Sequence, residues 1–228
     1  MHELVHQFAA EQLAAQDILA PHVYDRHAAY YLALLASWQP TEEAECSFRA
    51  AVQPDLENVE MAWTWALTSE QMLLLPAAVE GFVEFYEMTG AFYSAAAILR
   101  RSVHQVRLQL AALPALCTGA EPTAPVQATS PQPLLKELLA ALLMQLSYTC
   151  SVGLAQQEEA EAAATEALTL ATSLHNPKLI VRSYHALVAV AYGKNDFVRG
   201  QELGEKAIQL AQQHELGREL AMCLSATG

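Results

Sequence analysis

The stretch from Ile180 to Gln213, IVRSYHALVAVAYGKNDFVRGQELGEKAIQLAQQ, places its apolar residues on helical faces either side of a single polar break. Tyr184, Leu187 and Ala191 fall three or four apart, and Phe197, Gly200, Gly204, Ala207, Ile208 and Ala211 do the same after the break. Asn195-Asp196 is the turn, because both tolerate left-handed backbone and Asp caps a following helix. Small residues at 200, 204 and 207 let the second helix approach the first closely. A lone hairpin cannot bury its own apolar face, so copies should flank it.

They do. Met144, Ala160, Ala164, Ala167 and Leu168 keep the spacings of Tyr184, Gly200, Gly204, Ala207 and Ile208, each pair 40 positions apart. An earlier copy runs from Pro76 to Gln109, with Phe82, Tyr86, a Gly90-Ala91-Phe92 turn, then Ala95, Leu99 and Ser102. After Glu215, LGRELAMCLSATG opens another amphipathic helix. The expected hairpins are therefore 76–110, 134–175 and 180–214, with the first helix of a further repeat at 216–226. Leu113 to Pro133 contains five prolines and no apolar period, so it reads as a loop between the first two hairpins.

This pattern, at a period of about 34 residues, resembles the tetratricopeptide repeat. Tyr184 stands at that family's bulky first position, Leu187 at its leucine, Phe197 at its turn aromatic and Ala207 at its late alanine. Val188 and Gly200 depart from its usual small residue and alanine, which makes the unit a divergent repeat. The fold class implied is all-α: an α-solenoid of tetratricopeptide-like hairpins over 70–228, preceded by a helical adaptor over 1–69. Abundant Ala and Leu, and the lack of any run alternating at strand period, agree with a helical class.

The adaptor carries its own order of motifs. MHELVHQFAAEQL, then RHAAYYLALLA (26–36), then DLENVEMAWTWAL (55–67), resembles the junction between winged-helix and repeat segments in STAND-type signal-transduction ATPases. That resemblance implies a nucleotide-binding domain upstream in a longer chain, with Met1 an internal methionine, and a repeat region that senses a trigger. No GxxxxGK[ST] loop occurs in the 228 residues, so no ATP chemistry is expected of them. Within the adaptor Tyr24, Ala28, Tyr31, Leu32 and Leu35 form a buried stripe, and Trp63 and Trp65 read as core aromatics.

His2-Glu3-Leu4-Val5-His6 matches the HExxH zinc-protease pattern, but a catalytic zinc needs a third protein ligand, and the positions that would extend the motif hold Ala9 and Gln12. A zinc hydrolase is the minor alternative. Nucleophilic catalysis has no support, since no Ser, Cys or His sits in a glycine elbow or beside a recognisable base. The expectation is a non-enzyme with no cofactor and no metal.

Cys46, Cys117, Cys150 and Cys223 form no close pair, as in reduced intracellular proteins, so a cytoplasmic setting is expected. Charge is uneven. Residues 1–99 hold Arg26 and Arg49 against fourteen acids, whereas 100–228 hold ten basic residues against eleven acids. Phosphate binding needs clustered cations, so nucleic acid is not an expected partner, and no segment reaches roughly 18 uncharged apolar residues, so no membrane span is expected.

In stacked hairpins the first helices line a concave binding surface. Projected onto it, they offer Glu80, Glu84 and Glu87 from the first hairpin, Gln145 and Thr149 from the second, and Arg182, His185 and Tyr192 from the third. Acid at one end, with Arg, His and Tyr at the other, suits a peptide, a protein or a small polar trigger. A free-standing scaffold binding a peptide or protein partner is the alternative reading of the same face.

Overall fold

The computed structural model describes residues 19–39, 41–113 and 131–227, and every regular element in them is helical. The HELVH motif and the greater part of the Pro-rich segment lie outside the described residues. The helices are α1 (Leu19–Ala36), α2 (Glu42–Val52), α3 (Leu56–Thr68), α4 (Leu75–Met88), α5 (Phe92–Ala112), α6 (Pro131–Tyr148), α7 (Gln157–Ser173), α8 (Pro177–Gly193), α9 (Phe197–Gln213) and α10 (Gly217–Thr227). Short 3-10 turns, Gln53–Asp55 and Glu70–Leu74, lead into α3 and α4, and a π-turn, Thr149–Gly153, ends α6. No helix among the described residues is long and apolar enough to cross a membrane.

The chain forms two compact units, Met1–Gly81 and Phe82–Gly228, so the division falls inside α4 rather than before it. In the first unit Ala28, Leu32 and Leu35 of α1 are buried, as are Val59, Ala62, Trp63 and Ala66 of α3. Trp63 belongs to the core, and truncating such a residue typically costs about 3–5 kcal/mol. Trp65 has a different role. Its Nε1 donates to Asp25 Oδ1 at 2.9 Å and its ring lies 4.8 Å from that of Tyr24, fastening α3 to α1. Gly81 allows α4 to pass α1, because a Cβ there would stand 2.1 Å from the Leu35 carbonyl oxygen.

The second unit follows one rule. Each helix from α5 to α9 packs on the next in sequence, and α8 also packs on α6 and α10. Helices α7, α8, α9 and α10 begin at 157, 177, 197 and 217, and the residues with positive φ just before them are Ala155, His175, Asn195 and Glu215. One helix plus one corner thus takes 20 residues, and a hairpin takes 40. This is longer than the period of about 34 expected of the tetratricopeptide pattern.

The corners share a mechanism. A left-handed residue reverses the backbone so that the next N–H bonds back to a carbonyl five residues earlier. Asn176 N donates to Ala171 O at 3.2 Å, Asp196 N to Ala191 O at 2.9 Å and Leu216 N to Ala211 O at 2.9 Å. Gly90 does the same before α5, with Ala91 N donating to Tyr86 O at 2.8 Å. After α6 the bond runs from Gln156 N to Cys150 O at 2.8 Å, one residue wider, because the helix ends in its π-turn. Side chains then cap the incoming helices: Asn176 Oδ1 accepts from Leu179 N at 3.2 Å and Asp196 Oδ1 from Arg199 N at 3.1 Å.

Small residues set the spacing between helices. Ala160, Ala163, Ala164, Ala167 and Ala171 are the buried positions of α7, and Gly200, Gly204, Ala207 and Ala211 those of α9. They face bulkier helices such as α6, whose buried set includes Leu138, Leu142 and Leu146. One boundary departs from expectation. The loop expected through Pro133 ends earlier, and Pro131, Gln132 and Pro133 form the first turn of α6, where a missing backbone donor costs nothing.

Candidate functional site

Helix α4 carries large apolar residues on the side it buries, with Phe82, Phe85 and Tyr86 at 1–2% exposure, and Glu84 and Glu87 on the half-buried remainder. Phe82 and Phe85 contact Tyr86 with ring centroids 5.0 and 5.7 Å apart. This packing leaves Glu87 little freedom to reach water. Its Oε1 is buried with no hydrogen-bond partner among the described residues. Burial, and secondarily the nearby Glu84 carboxylate, push its pKa up to about 8. At neutral pH the group is therefore a protonated acid that can donate a hydrogen bond.

Tyr148, the last residue of α6, faces the same charges. Burial raises its phenol, and Glu87 and then Glu84 raise it further. The geometry thus draws Glu84, Glu87 and Tyr148 into one acidic, poorly hydrated patch within the second unit. A cation or an N–H donor placed there would meet two carboxyl groups and a phenol, and would draw the Glu87 pKa back down. Tyr148 was not among the expected residues. Its signal was available, since it lies one helical turn beyond Gln145 at the end of a leucine-rich helix.

The remaining expected residues divide. Glu80 belongs to the first compact unit. Gln145 is half-buried and occupies the same place in its hairpin as His185 does 40 positions later. Thr149 is fully buried in the π-turn, with an Oγ1 that has no partner among the described residues, so it offers no surface to a ligand. Arg182 is engaged in the fold: its Nε donates to Glu219 Oε1 at 3.2 Å, and Lys178 Nζ lies 3.8 Å from the same oxygen. Glu219, at 5% exposure, uses this pairing to hold α10 against α8. His185 has a pKa lowered by burial and then by Arg182, so it is a neutral imidazole at pH 7.

Tyr192 lies apart from these. Its ring is 6.0 Å from that of Phe197, and with Phe197, Gln201, Glu205 and Ile208 it lines an open recess of about 400 Å³ on α9. Among the described residues no group of three His, Cys, Asp or Glu is placed to hold a metal ion. His175 and His214 stand at corners, whereas His104 is in the middle of α5.

No family model, no curated protein and no solved structure matches this chain.

Proposed function

We propose that the chain is a non-catalytic binding module, the sensor region of a STAND-type signalling ATPase, built as a solenoid of divergent tetratricopeptide-like hairpins. In this reading the trigger, a protein, a peptide or a small molecule, binds the face made by the first helices of the hairpins in the cytoplasm. The nucleotide-binding domain lies upstream in the full-length protein. The trigger prefers the open state and so shifts the ATPase towards assembly. The repeat reading is supported by the 20-residue frame of corners at 155, 175, 195 and 215.

The observation that carries the recognition face is the unpartnered, buried carboxyl of Glu87 beside Glu84 and Tyr148. Keeping such a group desolvated lowers stability, and a bound cation or donor recovers the loss. The sign follows from the shift. A carboxyl whose folded pKa lies near 8, above its ordinary 4.5, withdraws stability as pH rises through that interval.

Two measurements test this. Urea unfolding between pH 5 and 9 should show stability falling with pH, and Glu87→Gln should flatten that slope by an amount on the order of 3 kcal/mol. Partner capture by the wild-type protein should then be compared with capture by Glu84→Lys, Glu87→Gln and Arg182→Glu. Equal recovery of the same partners by all four proteins would place recognition elsewhere.

A further inference from the structure

Helices α5 and α7, the second helices of successive hairpins, share one frame on their buried side, where Ala95, Leu99 and Ser102 of α5 stand as Ala160, Ala164 and Ala167 do in α7. Their outer sides differ. In α7 that side carries Glu158, Ala162, Glu166, Thr169 and Ser173. Helix α5 places Tyr93, Ala97, Arg101, His104 and Leu108 at the same steps, all of them exposed, with Tyr93 at 77% and Leu108 at 51%. These five positions fall within about 80° of one another around the helix and span about 22 Å along it. Packing of the hairpins does not call for bulk or cations there, since α7 packs in the same frame under an acidic and polar outer side.

Charge points the same way. In a chain of net charge −13, the 21 residues of α5 hold Arg100, Arg101, Arg107 and His104 and no acid. Arg100 and Arg107, seven apart, are spent inside the fold on Glu159 and Glu166 of α7, which are also seven apart. One flank of α5 thus already holds an alanine-rich helix with four Glu and no base, its carboxylates matched to arginines two turns apart. Arg101 and His104 stand on the outer side, and neither pairs with an acid among the described residues.

We propose that this outer side of α5 is a docking site for an acidic amphipathic helix of a partner protein. The occupant's chemistry follows from the stripe. Two carboxylates one turn apart meet Arg101 and His104, and bulky apolar side chains on either side of them cover Tyr93 and Leu108. Ala97, small and exposed, lets the backbone of the incoming helix come close. Two cations without a wider cluster hold a phosphate polymer poorly, whereas apolar ends about 22 Å apart suit a helix of about 15 residues. The negative charge of the remaining surface repels an acidic partner in every other register, so the stripe also fixes where it lands. The site is on a second helix and is separate from the recognition face proposed above, which first helices make.

The test uses the 228-residue protein and a fluorescent peptide copying residues 157–173, the acidic helix that α5 already accepts on its flank. Fluorescence anisotropy should show the peptide binding at low salt and leaving as salt rises. Arg101→Glu with His104→Glu should weaken binding at least tenfold, Arg101→Gln alone by less, and Tyr93→Ser with Leu108→Ser at least threefold. All these positions are exposed, so the variants should keep the circular dichroism and Tm of the wild type. A peptide with Lys in place of its four Glu should prefer the doubly acidic variant. No binding of the acidic peptide at roughly 1 mM, or equal binding of a form with Gln for its four Glu, would overturn the proposal. Dependence on Arg107 in place of Arg101 would mean that the peptide displaces α7, and the proposal fails. It fails also if sedimentation shows self-association that Arg101→Glu abolishes, since the occupant is then a second copy. Displacement of the peptide by a lower concentration of single-stranded oligodeoxythymidine would reassign the stripe to phosphate.

Discussion

The corners at 149–160 and 189–200 occupy the same frame and solve it differently. In the earlier one Val152 and Ala160 stand where the later one has Tyr192 and Gly200. The tyrosine ring takes the volume that the missing Cβ vacates, since a Cβ on Gly200 would lie 2.3 Å from Tyr192 Cε1. Bulk has moved from one helix to its partner, the ring standing where a Cβ would otherwise be.

Their polar chemistry differs too. Asp196 caps α9 through Arg199 N, whereas its equivalent, Gln156, caps nothing and accepts from Arg100 Nη2 of α5 at 2.8 Å. Arg100 also clasps Glu159 with two bonds of 2.7 Å, and the Glu159 carboxyl is held low chiefly by that contact. Ser151 donates to Gln157 Oε1 at 2.8 Å and Gln157 Nε2 to Ser151 O at 3.0 Å, bracing the π-turn. Both corners reach back to the preceding hairpin, the earlier through Gln156 and Glu159 to Arg100 and the later through Lys194 and Arg199 to Glu161, and the later one caps its own helix as well.

The largest expected effect breaks the volume exchange. Gly200→Ala should destabilise the protein by about 2 kcal/mol in urea unfolding, since overpacking outweighs the gain in helix propensity. Adding Tyr192→Val should restore more than half of the loss. A neutral Gly200→Ala would show that the ring is not the constraint.

Next is Gly193→Ala, which pushes into the Gln157 amide and should cost about 1 kcal/mol. In a Gln157→Ala background the cost should vanish, and a double-mutant cycle without coupling would contradict the contact. The left-handed residues sharpen the comparison further. Ala155, at φ 54°, carries the penalty of a Cβ in that region, while Asn195, at φ 61°, tolerates it. Ala155→Gly should therefore raise stability by about 0.5–1 kcal/mol, after the added freedom of the unfolded chain is subtracted, and Asn195→Gly should gain less.

The smallest effect is at the corner's ion pairs. Lys194 first and Arg199 second hold the Glu161 carboxyl below its ordinary range, so their contribution is present at neutral pH and lost as pH falls through that lowered value. Glu161→Gln should cost about 0.5 kcal/mol at pH 7, less in high salt, and the two proteins should converge in acid. Persistence of the difference at pH 3 would assign it to something other than charge.

Much of the architecture was legible in residue order alone. The spacing of Gly200, Gly204, Ala207 and Ala211, the Asn195-Asp196 corner and the glycine at 90 specify helices and reversals through local geometry, which needs no distant partner. Ala155 and Glu215 were silent as corners, because nothing local marks Ala or Glu for left-handed backbone, and a single His such as His175 marks it only weakly. They are held there by the flanking helices, already committed to pack. The binding-face residues divide on the same principle. Glu84 and Glu87 were visible as a polar stripe, but the protonation of Glu87 was not, since the burial that drives it comes from packing.

By itself the sequence determined that this chain is helical, where most of its helices reverse and which small residues let them approach, all of which depend on neighbours within a few positions. Tertiary structure alone decided that Thr149 is inside, that Arg182 is bound to Glu219, that Glu87 is an uncharged acid and that Phe197 and Val198 are exposed. Each of these is set by which atoms exclude water from a group, and residues far apart in the chain supply those atoms.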